Sequence, residues 1–104
     1  MNLKEMFDAV NALDVDNYGY VNIEPGHAIM YRYHDRTRFD VIDAPSDGEY
    51  KEYFLVLNEG THVECIPVRN GNAVQEDAKK YNLTDDVMEL PWRIVHRLRD
   101  VGVL

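Results

Sequence analysis

Apolar side chains in the first thirteen residues recur at the spacing of an α-helix that buries one face. The apolar positions are Leu3, Met6, Phe7, Val10 and Leu13. Asn2 stands immediately before them and Glu5 follows it by three residues, which is the pattern of a capping box. We therefore predict a helix over residues 3–13 that starts at this cap and packs its apolar face on the rest of the domain.

Residues 20–68 change to short apolar and aromatic runs separated by turn-forming residues, which is typical of β-strands joined by tight connections. The predicted strands cover residues 20–24, 28–34, 38–42, 50–57 and 61–68. Pro25-Gly26 and the segment 44–48 are predicted to interrupt the strands, because proline, glycine and aspartate favour turns. Since these connections are too short for parallel crossovers, we expect neighbouring strands to be antiparallel.

The segment after Asn70-Gly71 supports two interpretations. In the first, Asn72 caps a helix along which apolar residues recur at helical spacing. In the second, Asn70-Gly71 forms a type I′ hairpin turn, and residues 72–75 add a further strand to the sheet. The sequence favours the helix, and residues 72–76 stay open between the two interpretations.

The C-terminal residues form a further apolar stripe, at intervals of 3, 4, 4 and 3 residues. Its members are Val87, Leu90, Ile94, Leu98 and Val101. Thr84 is the predicted N-cap, and Gly102 stands where the helix is expected to end. Pro91 lies inside the stripe, so it must either kink this helix or begin a new one.

Together these elements predict an α+β fold in a single domain that spans residues 1–104. We expect one antiparallel, meander-like sheet of about four to five strands. The N-terminal helix and the C-terminal helices are expected to pack on one face of that sheet, because each has one apolar side to bury.

The chain carries 19 acidic and 11 basic residues, which gives it a formal net charge of −8 at neutral pH. Residues 1–60 contain 12 of the acidic and 5 of the basic residues, so the negative charge is concentrated in the first part of the chain. A negative surface repels nucleic acid and anionic membranes at long range. We interpret the acidic charge first as a source of solubility, and as an alternative as a surface that docks on a basic partner. We expect another protein as the partner, while a homodimer is a further candidate. Nucleic acid is a less favoured partner, and no membrane association is expected.

The single cysteine, Cys65, cannot form an intramolecular disulfide, and the N-terminal residues lack the apolar core of a signal peptide. No apolar run in the sequence approaches the length of a transmembrane helix. These features favour a protein of the reducing cytoplasm.

Four histidines and one cysteine have no spacing typical of a metal site or a catalytic triad, and the chain has no glycine-rich phosphate loop. The segment 14–25 is similar to an EF-hand loop at its first, third and sixth positions, but Tyr18 and Pro25 stand where two calcium ligands belong. We interpret it as a helix-to-strand turn closed by Asp and Asn side chains. The sequence thus predicts no metal, no cofactor and no catalytic residues. It favours a non-catalytic binding domain that acts as an adaptor or inhibitor.

One segment is rich in cations and aromatic side chains and is the best candidate for a ligand site. If residues 31–39 stay extended, one face carries the cations and the other carries the aromatic residues. The candidate ligand-binding residues are Tyr31, Arg32, Tyr33, His34, Arg36 and Arg38. Such a strand could hold an anionic ligand or single-stranded nucleic acid through guanidinium contacts and base stacking. The competing interpretation, which we favour, is a turn at residues 35–37, with Asp40, Glu52 and Glu64 as partners of the arginines.

The C-terminal helix also concentrates basic residues. Arg93, His96, Arg97 and Arg99 flank its apolar stripe, and the single tryptophan, Trp92, stands beside Pro91 at the start of this cluster. Cations near the end of a helix complement its dipole. We therefore interpret the arginines as a solvated face and the tryptophan as a packing anchor in the core.

Overall fold

A computed structural model describes residues 1–24, 27–42 and 52–104 of the chain. In order, the elements of these residues are α1 Leu3–Asn11, β1 Tyr20–Glu24, β2 His27–Arg32, β3 Arg38–Ile42, β4 Tyr53–Asn58, β5 His62–Arg69, β6 Asn72–Ala73, a 3₁₀ turn Gln75–Asp77, β7 Lys79–Asn82, a 3₁₀ turn Val87–Glu89 and α2 Trp92–Asp100. Among them, neither helix has the length and apolar character needed to cross a membrane.

The strands form one antiparallel sheet in which β1 to β5 follow one another in chain order, as a meander. Strands β6 and β7 both pair with β5, β6 at its end and β7 at its beginning. This arrangement confirms the α+β class with an antiparallel sheet and a helix near each end of the chain. The predicted number of four to five strands is wrong, since the described residues form seven. The interruptions predicted at Pro25-Gly26 and at residues 44–48 lie outside those residues.

The two additional strands come from the segment after Asn70 and Gly71, where the sequence favoured a helix. Both residues have a positive φ, of 52° and 77°, as a two-residue type I′ hairpin turn requires. The chain therefore returns along β5 as strand β6, and the 3₁₀ turn Gln75–Asp77 is a single turn. Tyr81 then packs against the core from strand β7, opposite Val63 of β5. The apolar spacing that suggested a helical face thus belongs to a hairpin arm and an edge strand.

Helix α1 begins at Leu3 and is capped by Asn2, as predicted. The Asn2 side chain accepts a hydrogen bond from the backbone N–H of Glu5 at 2.9 Å, and the Glu5 side chain accepts one from the backbone N–H of Asn2 at 3.0 Å. The helix ends at Asn11, two residues before the predicted end at residue 13. It ends there because the side chain of Arg32 on β2 binds the carbonyl oxygens that a further helical turn would use.

The segment between α1 and β1 is a turn closed by Asp16, in agreement with its interpretation from the sequence. Its Oδ1 atom accepts hydrogen bonds from the backbone N–H groups of Tyr18 at 2.8 Å and Tyr20 at 3.0 Å. Gly19 lies within this turn with a φ of +89°, and a Cβ atom there would lie 3.0 Å from the carbonyl oxygen of Arg32. Glycine at this position therefore allows the turn to approach β2 closely.

Helices α1 and α2 pack on the same face of the sheet, and residues from both ends of the chain share one core. The largest fully buried side chains are Leu3, Met6, Phe7, Val10, Met30, Phe39, Val41, Val56, Val63, Val87, Ile94 and Leu98. Phe7 of α1 contacts Phe39 of β3, with ring centroids 5.2 Å apart. Helices α1 and α2 thus share this core, whereas the further helix expected after Asn70 is absent from the described residues.

The C-terminal region divides at Pro91, which is one of the two outcomes that the sequence allowed. Asp86, and not the predicted Thr84, caps the 3₁₀ turn Val87–Glu89 by accepting a backbone N–H from within it at 2.8 Å. Pro91 is the N-cap residue of α2, a position at which no N–H is needed for the helical ladder. Gly102 follows the helix with a φ of 84°, as expected for a residue that ends it.

The buried thiol of Cys65 makes the stability of the fold sensitive to alkaline pH. Burial raises the pKa of Cys65 from 9.0 to about 12, because the thiolate would lose its hydration. The resulting stabilisation is complete below pH 9.0, the value expected for the unfolded chain, and is lost as the pH rises through about 12. We expect this group to lower the free energy of unfolding by up to about 1.4 kcal/mol per pH unit in that range.

Urea unfolding of the wild type and of Cys65→Val, under reducing conditions at several pH values from about 8 to about 11, measures this effect. The valine variant keeps an apolar side chain in the core and has no thiol to titrate. Its stability is expected to fall less steeply above pH 9.0 than that of the wild type. A parallel decline in the two proteins would contradict the prediction.

Candidate functional site

The predicted cationic strand does not stay extended. Strand β2 ends at Arg32, and the chain turns before β3 begins at Arg38. In the turn, the N–H of Arg36 donates a hydrogen bond to the carbonyl oxygen of Tyr33 at 3.0 Å, and Arg36 adopts a positive φ of 60°. The extended ladder of one histidine and three arginines is therefore not formed. Arg32, His34 and Arg36 border one small cleft, whereas Arg38 pairs with Asp40. The turn is the interpretation that we favoured from the sequence.

Arg32 holds the C-terminal end of α1 against the sheet. Its guanidinium donates hydrogen bonds to the carbonyl oxygens of Asn11 at 2.6 Å, Leu13 at 2.8 Å and Val10 at 3.3 Å. A cation at this position complements the helix dipole and satisfies carbonyl groups that have no partner within the helix. The guanidinium of Arg32 therefore forms these hydrogen bonds with backbone groups of the protein itself.

Tyr33, Arg38 and Asp40 form a network on the sheet face opposite the helices, which we call the outer face. Arg38 donates two hydrogen bonds to the Asp40 carboxylate, at 2.8 and 3.1 Å, and the hydroxyl of Tyr33 donates a third at 3.1 Å. Asp40 is buried, with 4% of its surface exposed. Burial, together with the negative charge of Asp40, raises the pKa of Tyr33 to about 12. Asp40 is one of the carboxylates expected as partners of the arginines, but it lies two residues after Arg38 on β3 and not on a neighbouring strand.

Aromatic side chains continue this network along the outer face. Tyr31 contacts Tyr33 with ring centroids 4.6 Å apart, and Tyr20 contacts Tyr31 at 5.2 Å. The register aligns, across β1 to β5, the residues Tyr20, Tyr31, Asp40, Leu55 and Ile66. The three tyrosines are half-buried, so their rings act mainly as cross-strand packing groups of the sheet.

His34 and Arg36 are the members of the predicted set whose side chains are exposed. They border a small cleft of about 130 Å³ that also includes Asp16, Asn17 and Arg32. The carboxylate of Asp16 opposes the binding of an anion in this cleft. Binding of an anionic ligand or of single-stranded nucleic acid at this turn stays a prediction, and it would depend on His34 and Arg36.

The other groups with potential acid–base or nucleophilic chemistry lie apart in the fold. His62 is on β5, with its Nδ1 atom 3.0 Å from the hydroxyl oxygen of Thr61. The raised pKa of Cys65 keeps its thiol protonated at neutral pH, the form that does not act as a nucleophile. Within the described ranges, no three His, Cys, Asp or Glu side chains lie close enough together to hold a metal ion.

A groove of about 480 Å³ lies on the helix side of the sheet, between β5 and the start of α2. Its floor includes Phe54, Pro67 and Cys65. Arg69 and Asp77 stand at its rim and form an ion pair with each other. Because the opposite charges of Arg69 and Asp77 neutralise each other, the groove shows no preference for a positively or a negatively charged ligand.

Trp92 lies on the solvent side of α2, with 60% of its surface exposed. It is therefore not the packing anchor that the sequence suggested. Helix α2 buries Ile94, Val95 and Leu98, and Trp92 stands two residues before Ile94, about 200° around the helix axis. The apolar stripe, which omits residue 92, was the sequence signal that places Trp92 on the opposite side.

Basic and aromatic side chains surround Trp92 on the exposed side of α2. The His96 ring lies edge-on to Trp92 with centroids 4.2 Å apart, and the Arg99 guanidinium is 5.7 Å from the centre of the Trp92 ring. Trp92, Arg93, His96 and Arg97 border a shallow depression of about 400 Å³. We call the surface around this depression the Trp92 patch, which consists of Trp92, Arg93, His96, Arg97 and Arg99.

Met88 is a further exposed apolar residue, in the segment before α2. It is 50% exposed in the 3₁₀ turn Val87–Glu89, which directly precedes α2 and contacts it. Met1 is 47% exposed, and its carbonyl oxygen accepts a hydrogen bond from the N–H of Val87 at 3.0 Å. Met1 and Met88 are thus two exposed apolar side chains at the 3₁₀ turn that precedes α2.

The Trp92 patch is basic, although the protein as a whole is acidic. Helix α2 carries three arginines and one aspartate in a chain with a net charge of −8. Arg97 pairs with Asp100 at 3.0 Å on the surface of the helix.

Comparison with protein-family models, with curated proteins and with solved structures found no match for the chain.

Proposed function

We propose that the protein is a non-catalytic protein-binding domain that acts as an adaptor or an inhibitor, with the Trp92 patch as a contact surface. The observation that carries this proposal is the 60% exposure of Trp92, the single tryptophan of the chain. Tryptophan is on average highly buried, so its exposure forgoes a favourable burial energy. Tryptophan, tyrosine and arginine are enriched among the residues that dominate protein–protein affinity. An exposed tryptophan among arginines therefore favours a protein contact.

The backbone of the Trp92 patch is fixed by the core beneath it. Ile94, Val95 and Leu98 are each no more than 1% exposed, so α2 presents Trp92 from a well-packed helix. The contacts of the indole with His96 and Arg99 further restrict its rotamers. Binding to such a preorganised surface costs less conformational entropy, which favours affinity.

An adaptor needs two contact surfaces, and the charge distribution supports a second one. The acidic residues of the first sixty positions include the exposed side chains of Glu5, Asp8 and Asp35. Docking of a basic partner on these acidic side chains stays a prediction, as does formation of a homodimer. The acidic side chains and the arginines of the Trp92 patch have opposite charge, so they suit different partners.

The alternative function, binding of an anionic ligand or of single-stranded nucleic acid through the turn after β2, has less support. The guanidinium of Arg32 binds three carbonyl oxygens, and that of Arg38 binds the carboxylate of Asp40. Two of the four predicted cations are thus engaged within the protein. The Trp92 patch has a larger exposed aromatic surface and three arginines on one helix.

Replacement of Trp92 by alanine is expected to weaken binding of the protein partner by roughly 30-fold or more, since removing such an anchor costs about 2 kcal/mol. The measurement is affinity capture from native extract by the wild type, Trp92→Ala and Tyr18→Ala, with quantitative mass spectrometry. Tyr18 is a matched control because it is an aromatic side chain with 77% exposure that lies outside the patch.

At least one protein should be retained by the wild type and by Tyr18→Ala and be depleted from the Trp92→Ala sample. Far-UV circular dichroism of the variants checks that the helices are intact. Equal capture of every protein by all three samples would show that the Trp92 patch is not a contact surface.

A further inference from the structure

We propose that the Trp92 patch binds an acidic protein segment, one that places carboxylates beside an apolar side chain. This inference rests on the proposed function and adds the chemistry of the partner to it. It also distinguishes this surface from the acidic part of the protein, for which a basic partner is expected. The argument concerns three features of the patch: its charge, its apolar centre and the acidic residues at its border.

The arginines of α2 are spaced to receive a carboxylate. Arg93 and Arg97 are four residues apart, so their side chains are neighbours on one side of the helix. Both border the depression of about 400 Å³ that lies next to the Trp92 ring. An aspartate or glutamate of a partner that enters this depression meets guanidinium groups, which bind carboxylates with two parallel hydrogen bonds.

The ion pairs that already exist on α2 do not prevent a partner carboxylate from binding these arginines. Arg93 and Arg97 each take part in interactions within the protein. One of these is the ion pair of Arg97 with Asp100 at 3.0 Å, whose two side chains are 32% and 36% exposed. An exposed pair of this kind contributes little to stability, because water screens its charges. A partner carboxylate that is shielded from water at the interface therefore competes effectively for the same guanidinium.

The apolar part of the segment would cover Trp92, which is 60% exposed. Burying the indole excludes water from the neighbouring arginines and so strengthens their attraction to carboxylates. One apolar anchor with flanking carboxylates is thus the smallest segment that satisfies the whole patch.

Nucleic acid is the competing polyanion, and the border of the patch disfavours it. Asp86, Glu89 and Asp100 are exposed at the two ends of the patch and would repel phosphates that run past the arginines. Helix α2 has nine residues, which corresponds to a length of about 14 Å. The aromatic rings along it are those of Trp92 and His96, and these two rings contact each other. Successive bases would therefore lack successive stacking platforms. A peptide can confine its carboxylates to the positions opposite the arginines.

The test is a selection of peptides on the purified protein. A display library of random peptides of about 16 residues is selected on the wild type and depleted on Trp92→Ala, so that the surviving peptides depend on the patch. Selected peptides are synthesised, and their affinities are measured by the fluorescence of Trp92, which reports on the patch alone because the chain has a single tryptophan. The same titrations use Arg93→Glu/Arg97→Glu, with the exposed Arg36→Glu as the control for a charge change elsewhere.

The selected peptides should carry more Asp and Glu than Lys and Arg and should bind more weakly as salt rises. The double charge reversal should reduce their affinity by roughly tenfold or more, and Arg36→Glu should change it by less than about twofold. Selected peptides that are neutral or basic would overturn the acidic partner and leave the proposed function standing. Failure to select any Trp92-dependent peptide, or tighter binding of an oligothymidylate of equal length, would also overturn this inference. The capture experiment with native extract tests the proposed function independently of these outcomes.

Discussion

Replacing Leu98 by alanine is expected to lower the free energy of unfolding by about 2–5 kcal/mol. Leu98 and Ile94 lie on the buried side of α2 and have no exposed surface, so truncation of either leaves a cavity between the helix and the sheet. A loss of this size is a large part of the stability of a domain with about a hundred residues. Thermal and urea unfolding of Leu98→Ala and Ile94→Ala measure it directly.

Arg93→Ala is the control on the opposite side of the same helix. Its side chain is exposed, so we expect its stability to stay within about 0.5 kcal/mol of the wild type. If Leu98→Ala were as stable as Arg93→Ala, this result would contradict the burial of Leu98 between α2 and the sheet. The proposed contact surface would then lose its rigid support.

The second large effect is expected at Arg32, a candidate ligand-binding residue whose guanidinium binds the end of α1. Arg32→Met keeps an apolar stem and removes the guanidinium that binds three carbonyl oxygens. Hydrogen bonds to a charged group contribute about 1.5–3 kcal/mol each, and water can reach part of this half-buried site. We therefore expect a net loss of about 2–3 kcal/mol in the free energy of unfolding.

Arg36→Met is the matched variant, because it removes the same charge from the neighbouring turn. The Arg36 side chain is exposed, and the hydrogen bonds of its backbone to Tyr33 and Asn11 are retained. Its stability should change by less than about 0.5 kcal/mol. Equal stability of Arg32→Met and Arg36→Met in urea unfolding would refute the role of Arg32 as the cap of α1.

Helices and strands whose ends are set by caps or turns in neighbouring residues were predictable from the sequence. Asn2 and Glu5 form the predicted capping box, and the bounds of β1 and β3 agree with the predicted residues 20–24 and 38–42. Caps, turns and the alternation of a strand act over a few residues, so the local pattern contains the whole signal. The packing of both terminal helices on one face followed from their apolar stripes in the same way.

The segment after Asn70 shows where a local pattern became ambiguous. Apolar residues spaced for a helical face also fit a short hairpin arm, a single 3₁₀ turn and a strand. The pairing of β7 with His62–Cys65 of β5 favours the strand, and this pairing joins residues that are far apart in the chain. Tertiary contacts therefore outweighed the modest preference of this segment for a helix.

The amino-acid sequence was enough to specify the α+β class, the capped first helix and the apolar stripe of the last one, since each depends on neighbours along the chain. The roles of the arginines and of Trp92 depend on partners that are distant in sequence. Arg32 binds carbonyl groups 19 to 22 residues away, and Arg38 is held by the buried Asp40 within a network that includes Tyr33. Residue spacing shows which side chains share a face, but it does not show which face meets a helix, a carboxylate or water. The packing of α2 on the sheet made that assignment, and it left Trp92 and its arginines exposed to solvent.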